Sequence, residues 1–558
     1  MAMQKNWLGK PWLGCLSVAV VVFIVALSLI SHQLTTANFG ADGGDLLAAV
    51  LTGGVPHPTG YPIYVLLGRL FQRIPLGSPY FRGTLLSALP AALAAGLLVA
   101  SLPVAWLVLS FPLPPAPPSV GQGRSNSVAY RRVQPVDTPP MSISPPSLGK
   151  GGQGRWGIIA ALIPAIIAGL AWGLSPLLLS QAVIVEVHGL QALFALLALG
   201  WAWLLLKGSS SGTKGIVLIV LAWLYGLGLG NHLTMLLFMP AIAVGLWYAW
   251  RDGLPARWVL FQCGALLFGT LVYLYLPLSA RRYPPVNWGN PQTWQGFLWV
   301  VSGSPYQGYF LSAPVTDIPG RLLAWFSLLR EQYGLLGLVL GAAGAVLSNQ
   351  VDRRLGRLLL WVFFSYSLLA LFYHTADSSV YLLPATLAWG VWIGFALWAA
   401  WPGRWRTLPW GKLLSLALFL VLLIRFPAVY RQVDPRTETR AAGFAQELLD
   451  VAPPGALVLT QSDPDTFSLW YYHFGLGWRP DVAIIAVQLT QYRWYRDTLI
   501  HTYPELTYPE GIENEENVQW GKIIPMLNPN RPICQSQVAS TQPFEITYHC
   551  DFHPLPQN

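Results

Sequence analysis

What most limits this chain is a succession of long apolar runs, beginning at residues 12–30. Each approaches the roughly 20 residues that a helix needs to cross a bilayer. Further runs lie at 84–111, 156–179, 189–206, 215–229, 233–250, 258–278, 332–348, 358–373, 380–401 and 413–430, which makes eleven. Only 10% of the 558 residues are charged and 54% are apolar, against about 25% charged in an ordinary soluble domain. A soluble enzyme is thereby excluded. The first run is too long for the apolar part of a signal peptide and no small-residue cleavage site follows it, so it reads as a retained span. The stretch 215–250 allows two short crossings, broken at Gly228, Gly230 and Asn231.

Lysines and arginines set the orientation. Lys5 and Lys10 precede the first run, and basic clusters recur within 124–155, 207–214, 251–257, 353–357 and 404–412. By the positive-inside rule these loops and the N-terminus are cytoplasmic. An odd number of spans then puts the chain beyond residue 431 on the extracytoplasmic face of the plasma (inner) membrane. The net charge of +9 is thus a topology signal, and no nucleic acid is expected as a partner.

Residues 112–155, rich in Pro, Gly and Ser, read as a disordered cytoplasmic insertion in a transmembrane domain spanning 1–430. The remainder, 431–558, reads as a small soluble α/β domain. Helical spacing over 436–450 stops at Pro453, Pro454 and Gly455, and buried strands are expected at 456–460 and 481–487. Cys15 and Cys263 sit inside apolar runs as buried thiols. Cys534 and Cys550 lie in an oxidising space, either bridged or free.

The unusual polar residues gather on the external side. Asp42 and Asp45 stand in ADGGD, His57 and Tyr61 in VPHPTGYP, and Glu186 and His188 in VEVHG. Asn231 and His232 follow, then Arg281 and Arg282, then His374, Asp377 and Tyr381. Ionisable groups near bilayer depth usually line a functional cavity or pair with one another, and several loops supplying them to one face point to a shared site. Asp42 and Asp45 suit a general base with a metal ligand, or two positioning groups; solvated loop acids or an Asx turn across Gly43 and Gly44 is the plainer alternative. A divalent cation there is kept as an option and no other cofactor is expected. Three prolines and Gly60 would stiffen the loop that carries His57 and Tyr61. Glu186 reads as a cavity residue or one half of a salt bridge. Arg281 and Arg282 read as a clamp for phosphate or for anionic membrane lipids. Asp377 could instead start a helix. Trp288 and its aromatic neighbours could stack on sugar rings or belong to an interfacial belt.

The run DGGDLLAAVLTGGVPHPTGYPIYVLLGRLF (42–71) resembles the signature of a bacterial multispanning family, long described only as a domain of unknown function, whose animal relative is a transmembrane protein O-mannosyltransferase. Also similar are SQAVIVEVHGLQALF, GLGLGNHLTMLL, YLPLSARRYPPVNWGNPQTWQGFLW, YHTADSSVYLLP and, in the tail, DPDTFSLWYY with RPDVAII. The resemblance implies a GT-C type glycosyltransferase, an all-α polytopic membrane protein of about eleven spans with a small C-terminal α/β domain. It implies a polyprenyl-phosphate sugar donor, mannose as the first guess, and a protein or lipid acceptor. Asp42 falls on the family's first loop acid and Asp45 on its second, usually Glu; HPPGYP becomes HPTGYP here. Asp42 is then the expected base and Arg281 or Arg282 the phosphate partner, with Asp45, His57 and Glu186 as positioners. The alternatives from other classes are a transporter or flippase of lipid-linked sugars and a non-catalytic assembly protein.

Overall fold

The computed structural model describes residues 9–110, 155–208, 212–401, 404–405, 408–509, 520–538 and 545–551. The insertion expected at 112–155 therefore lies, apart from Arg155, outside the described residues. Among the described residues, nine helices are long and apolar enough to cross a membrane, or ten if one bent pair is a single span. The eleventh expected run is the helix Gly215–Leu229, too short to be counted with them.

The bent pair explains itself. Leu162–Gly173 and Pro176–Ala182 meet at 62° because a proline has no N–H to continue the helix and clashes with the preceding turn. The bend turns the segment carrying Glu186 back into the protein. The span expected at 332–348 belongs to a longer candidate, Val315–Val351, broken at Gly334, whose φ of 66° suits glycine. The first two spans pack closely at Gly96, where a side chain would overlap the Cys15 carbonyl and Ala19, so a small residue lets the helix backbones approach. Outward-facing residues such as Leu335, Leu423 and Ile424 remain exposed, as lipid-facing side chains would.

The C-terminal part is built on a mixed four-stranded sheet. Strands β1 (Leu457–Thr460), β2 (Ala483–Ala486), β3 (Ile533–Val538) and β4 (Ile546–Asp551) lie in the order β2-β1-β3-β4. β1 runs parallel to β2 and β3, and β4 runs antiparallel to β3. The first two are fully buried and correspond to the apolar runs read from the sequence. The last two alternate in exposure, and Cys534 faces Cys550 in register, bridged by a disulfide with an S–S distance of 2.01 Å.

This C-terminal part rests directly on the loop that carries Asp42 and Asp45. Helix Asp463–Trp470 packs on helix Gly43–Thr52, and a side chain at Gly44 would overlap the carbonyl of Phe467. DGGD is thus a close-approach sequence: Asp42 stands just before a helix and Asp45 in its first turn. Gly44→Ala should lower the melting temperature of the solubilised protein, by about 1–3 kcal/mol of overpacking. Gly443→Ala, where an added methyl meets nothing within 4 Å, should leave it unchanged or slightly higher. Equal melting of both variants would sink this account of the interface.

Candidate active site

Asp45 is completely buried, so its charge has to be satisfied from within the protein. One carboxylate oxygen accepts the His57 backbone N–H at 2.9 Å and the His57 Nδ1–H at 2.7 Å. The other accepts the indole N–H of Trp288 at 3.0 Å. Trp288 is brought there by pairing between two loops: Val55 N–H donates to the Val286 carbonyl at 2.9 Å and Trp288 N–H to the Val55 carbonyl at 3.1 Å. Ser279 and Tyr275 hydroxyls donate to the carbonyls of Gly53 and Gly54, at 2.5 Å and 2.9 Å. Trp288 is therefore neither a sugar-stacking platform nor part of an interfacial belt.

His57 links the two acids. Its Nε2 lies 3.5 Å from the Asp42 carboxylate, on the opposite side of the ring from Asp45. Desolvation would lower its pKa, but Asp42, the Asp45 hydrogen bond and Glu186 together outweigh that and push it from 6.5 to about 9. His57 is an imidazolium at neutral pH, held between two carboxylates.

Asp42 precedes helix Gly43–Thr52 but its side chain caps nothing. It opens instead onto a cavity of about 760 Å³, with 40% of the side chain accessible. Burial raises the Asp42 pKa above the ordinary carboxylate range; His57 opposes this, while Asp377 and Asp45 add to it. Asp377, Tyr61, Tyr381 and His57 also line the cavity. Asp377 stands before the turn Ser378–Leu382 without capping it, so its carboxylate remains available.

Other expected site residues sit elsewhere. Glu186 is buried and does not line the cavity, and among the described residues it forms no ion pair; burial first, and then Asp42, push its pKa well above the usual range. Asn231 donates to the Val187 carbonyl at 3.1 Å and does not line this cavity. His232 lines a second, adjoining groove of about 270 Å³ that shares Tyr61, Tyr306, Tyr373 and Tyr381 with the first. Arg281 and Arg282 are exposed and line neither space. The inward face of their helix, Tyr275–Ala280, is taken by Leu276, Ser279 and Ala280, which leaves the arginines at its open end.

In their place the cavity presents Arg440, whose Nε donates to Glu438 at 2.9 Å. The terminal amino groups of Arg440 make no hydrogen bond among the described residues. Asp463, at the start of helix Asp463–Trp470, also faces the cavity; burial and the neighbouring Asp42 raise its pKa to about 6. Both belong to the segment after the last span, where nothing in the local sequence separates a cavity residue from a surface one. The DPDTF block marks Asp463 only as part of a family resemblance, and nothing marks Arg440. Among the described residues, no three His, Cys, Asp or Glu side chains converge to hold a metal ion. Both Asp45 oxygens are already engaged, so a divalent cation bridging Asp42 and Asp45 does not fit this site.

Known proteins resemble the chain in fold and in sequence. ArnT of Cupriavidus metallidurans superposes over 94% of this chain and 92% of its own with a TM-score of 0.50 at 14% identity. An oligosaccharyltransferase of Archaeoglobus fulgidus aligns over 90% of this chain and 69% of its own, at 12% identity and a TM-score of 0.44. The mouse protein O-mannosyl-transferase TMEM260 is 25% identical over 532 residues, which is 89% of this chain and 67% of the mouse protein. The chain is an integral membrane protein that shares the ArnT fold and is similar in sequence to a protein O-mannosyl-transferase. More narrowly, the family model for the TMEM260 N-terminal domain matches residues 42–111 and 149–253, and that for TMEM260-associated domain 2 matches 441–511. Asp42, Asp45, His57, Tyr61, Glu186, Asn231 and His232 fall in the first, and Asp463 in the second.

The raised pKa of His57 has a consequence for stability. Its charged form is favoured by the fold, so this contribution is complete below pH 6.5 and is lost as pH rises through about 9. Wild type should lose melting temperature across that window, and His57→Gln should flatten the loss. An unchanged slope in the variant would show that His57 is not the group responsible.

Proposed function

We propose that the chain moves a sugar, mannose first, from a polyprenyl-phosphate-linked donor to a hydroxyl of a protein or lipid acceptor, with Asp42 as general base. The observation that carries this reading is the division of labour between the two loop acids. Asp45 has both oxygens engaged and no contact with solvent, whereas Asp42 opens onto the cavity and caps nothing. A base has to reach the proton it removes; a positioner does not. The names of the relatives support the sugar and the donor: TMEM260 is a protein O-mannosyl-transferase, and the ArnT structure is one bound to undecaprenyl phosphate.

In this reaction the acceptor oxygen attacks the anomeric carbon. The bond from that carbon to the phosphate oxygen breaks, its electrons leave with the polyprenyl phosphate, and the acceptor proton goes to Asp42. A pKa above the usual carboxylate range suits Asp42 to take that proton. Positive groups stabilise the departing phosphate. Arg440, with its free terminal amino groups, takes the role first given to Arg281 and Arg282, and the His57 imidazolium adds to the local positive field. Asp45, through His57, holds Asp42 in place.

The proposal keeps the arrangement read from the basic loops: N-terminus cytoplasmic, a transmembrane domain over 1–430, and the domain at 431–558 on the extracytoplasmic side of the plasma (inner) membrane. Its test uses purified protein reconstituted in lipid with polyprenyl-phosphate mannose, following sugar release and transfer. Asp42→Asn should cost about 10²–10⁴-fold in turnover, the usual weight of a general base, while melting stays near that of the wild type. The wild-type rate should fall with decreasing pH through the raised Asp42 pKa, because the protonated acid cannot act as base. Full turnover in Asp42→Asn would exclude Asp42 as the base.

A further inference from the structure

The block DPD in the soluble domain holds two acids with opposite fates. Asp465 is completely buried and accepts the backbone N–H of Gln461 and of Ser462, both at 2.9 Å, and the Ser462 hydroxyl at 2.8 Å. The hydroxyl of Ser536 on β3 donates to it as well. Asp465 therefore ties the turn before the helix to the sheet. Asp463, two residues earlier, makes no hydrogen bond or ion pair among the described residues and opens onto the cavity that holds Asp42. Its element cannot swing freely. Phe467 of the same helix stacks near His57, with ring centroids 6.2 Å apart and planes at 14°, and its carbonyl closes on Gly44.

The cavity has two kinds of boundary. Through Tyr61, Tyr306, Tyr373 and Tyr381 it adjoins the groove lined by Leu233, Leu236 and Phe310, of which Leu236 and Phe310 are exposed apolar residues near the span ends. That side suits a lipid. Asp463, Glu438 and Arg440, from the soluble segment, line the cavity but not the groove. A carboxylate repels a phosphodiester and accepts hydrogen bonds from neutral N–H and O–H groups. Asp463 is thus poorly matched to the donor phosphate and well matched to a neutral chain arriving from water.

We propose that Asp463 is the acceptor-binding residue of this enzyme: presented by the soluble domain, it accepts a hydrogen bond from an incoming polypeptide and sets the polypeptide's hydroxyl before Asp42. This rests on the transferase reading above and adds to it the residue that receives the acceptor and the side from which the acceptor comes. Asp465 is the positioning residue behind it.

The test uses the full chain in lipid with radiolabelled polyprenyl-phosphate mannose and an envelope-protein extract from cells lacking the gene. Label is followed into protease-sensitive, lipid-extractable and free-sugar fractions. Asp463→Ala should lose at least tenfold of protein-bound label, while free-sugar release without acceptor and the KM for donor stay within twofold of wild type. Asp463→Asn, which keeps an acceptor oxygen, should recover part of the loss, and equal melting of all three proteins checks folding. Equal loss of transfer and free-sugar release would make Asp463 a donor or catalytic group and overturn the proposal. So would unchanged transfer, or label passing mainly into the lipid fraction. Absence of donor turnover in the wild type, or full turnover in Asp42→Asn, would instead overturn the transferase reading.

Discussion

Asp45 carries its charge where no water reaches it, and the arrangement of the external loops follows from the need to satisfy it. An isolated buried carboxylate is too costly to keep, so donors have to converge from elsewhere in the chain. They come from the HPTGYP loop, through His57, and from a segment more than 200 residues later, through Trp288. The pairing of Val55 with the segment around Asn287, and the hydroxyls of Tyr275 and Ser279 on Gly54 and Gly53, hold these loops in register. His57, fixed at one edge by Asp45, presents its other edge to Asp42. The proposed base is thus positioned by a relay whose inner end is dry and whose outer end opens on the cavity.

The C-terminal domain is part of this arrangement. Its helix Asp463–Trp470 lies on the helix that starts at Asp42, at a distance only glycine at position 44 permits. Thr35 and Thr36, just before the loop that carries Asp42, are held by Glu438, which accepts from the Thr35 hydroxyl at 2.9 Å and from the Thr36 backbone N–H at 2.8 Å. A domain bound to the first loop at two places can shape the cavity, supply Arg440 and Asp463 to its wall, and leave the groove to the membrane-spanning part.

The span pattern and the two apolar strands could be read directly, because an uncharged run in a bilayer or a buried parallel strand is dictated by local composition. The convergence of Asp42, His57, Tyr61, Asp377 and Tyr381 on one face followed from sorting polar residues by side. Roles within that group did not. Asp42 and Asp45 look interchangeable in DGGD, and they differ because one points to the cavity and the other into the packed loops. Trp288 looked like any interfacial aromatic until its N–H met a carboxylate. Arg281 and Arg282 had the right chemistry at the wrong end of a short helix. Arg440 and Asp463 carry no local mark, since their meeting with the first loop spans about 400 residues of chain.

By itself, then, the sequence determined that this chain lies in a membrane, which loops carry its ionisable groups, and that a small α/β segment follows the spans; each of these depends on short-range hydropathy and charge. Tertiary structure alone decided which carboxylate is sealed and which is open, which arginine reaches the cavity, and that the soluble domain closes it. Those outcomes depend on contacts between distant segments, where a rotation of one helix turn exchanges a buried side chain for an accessible one.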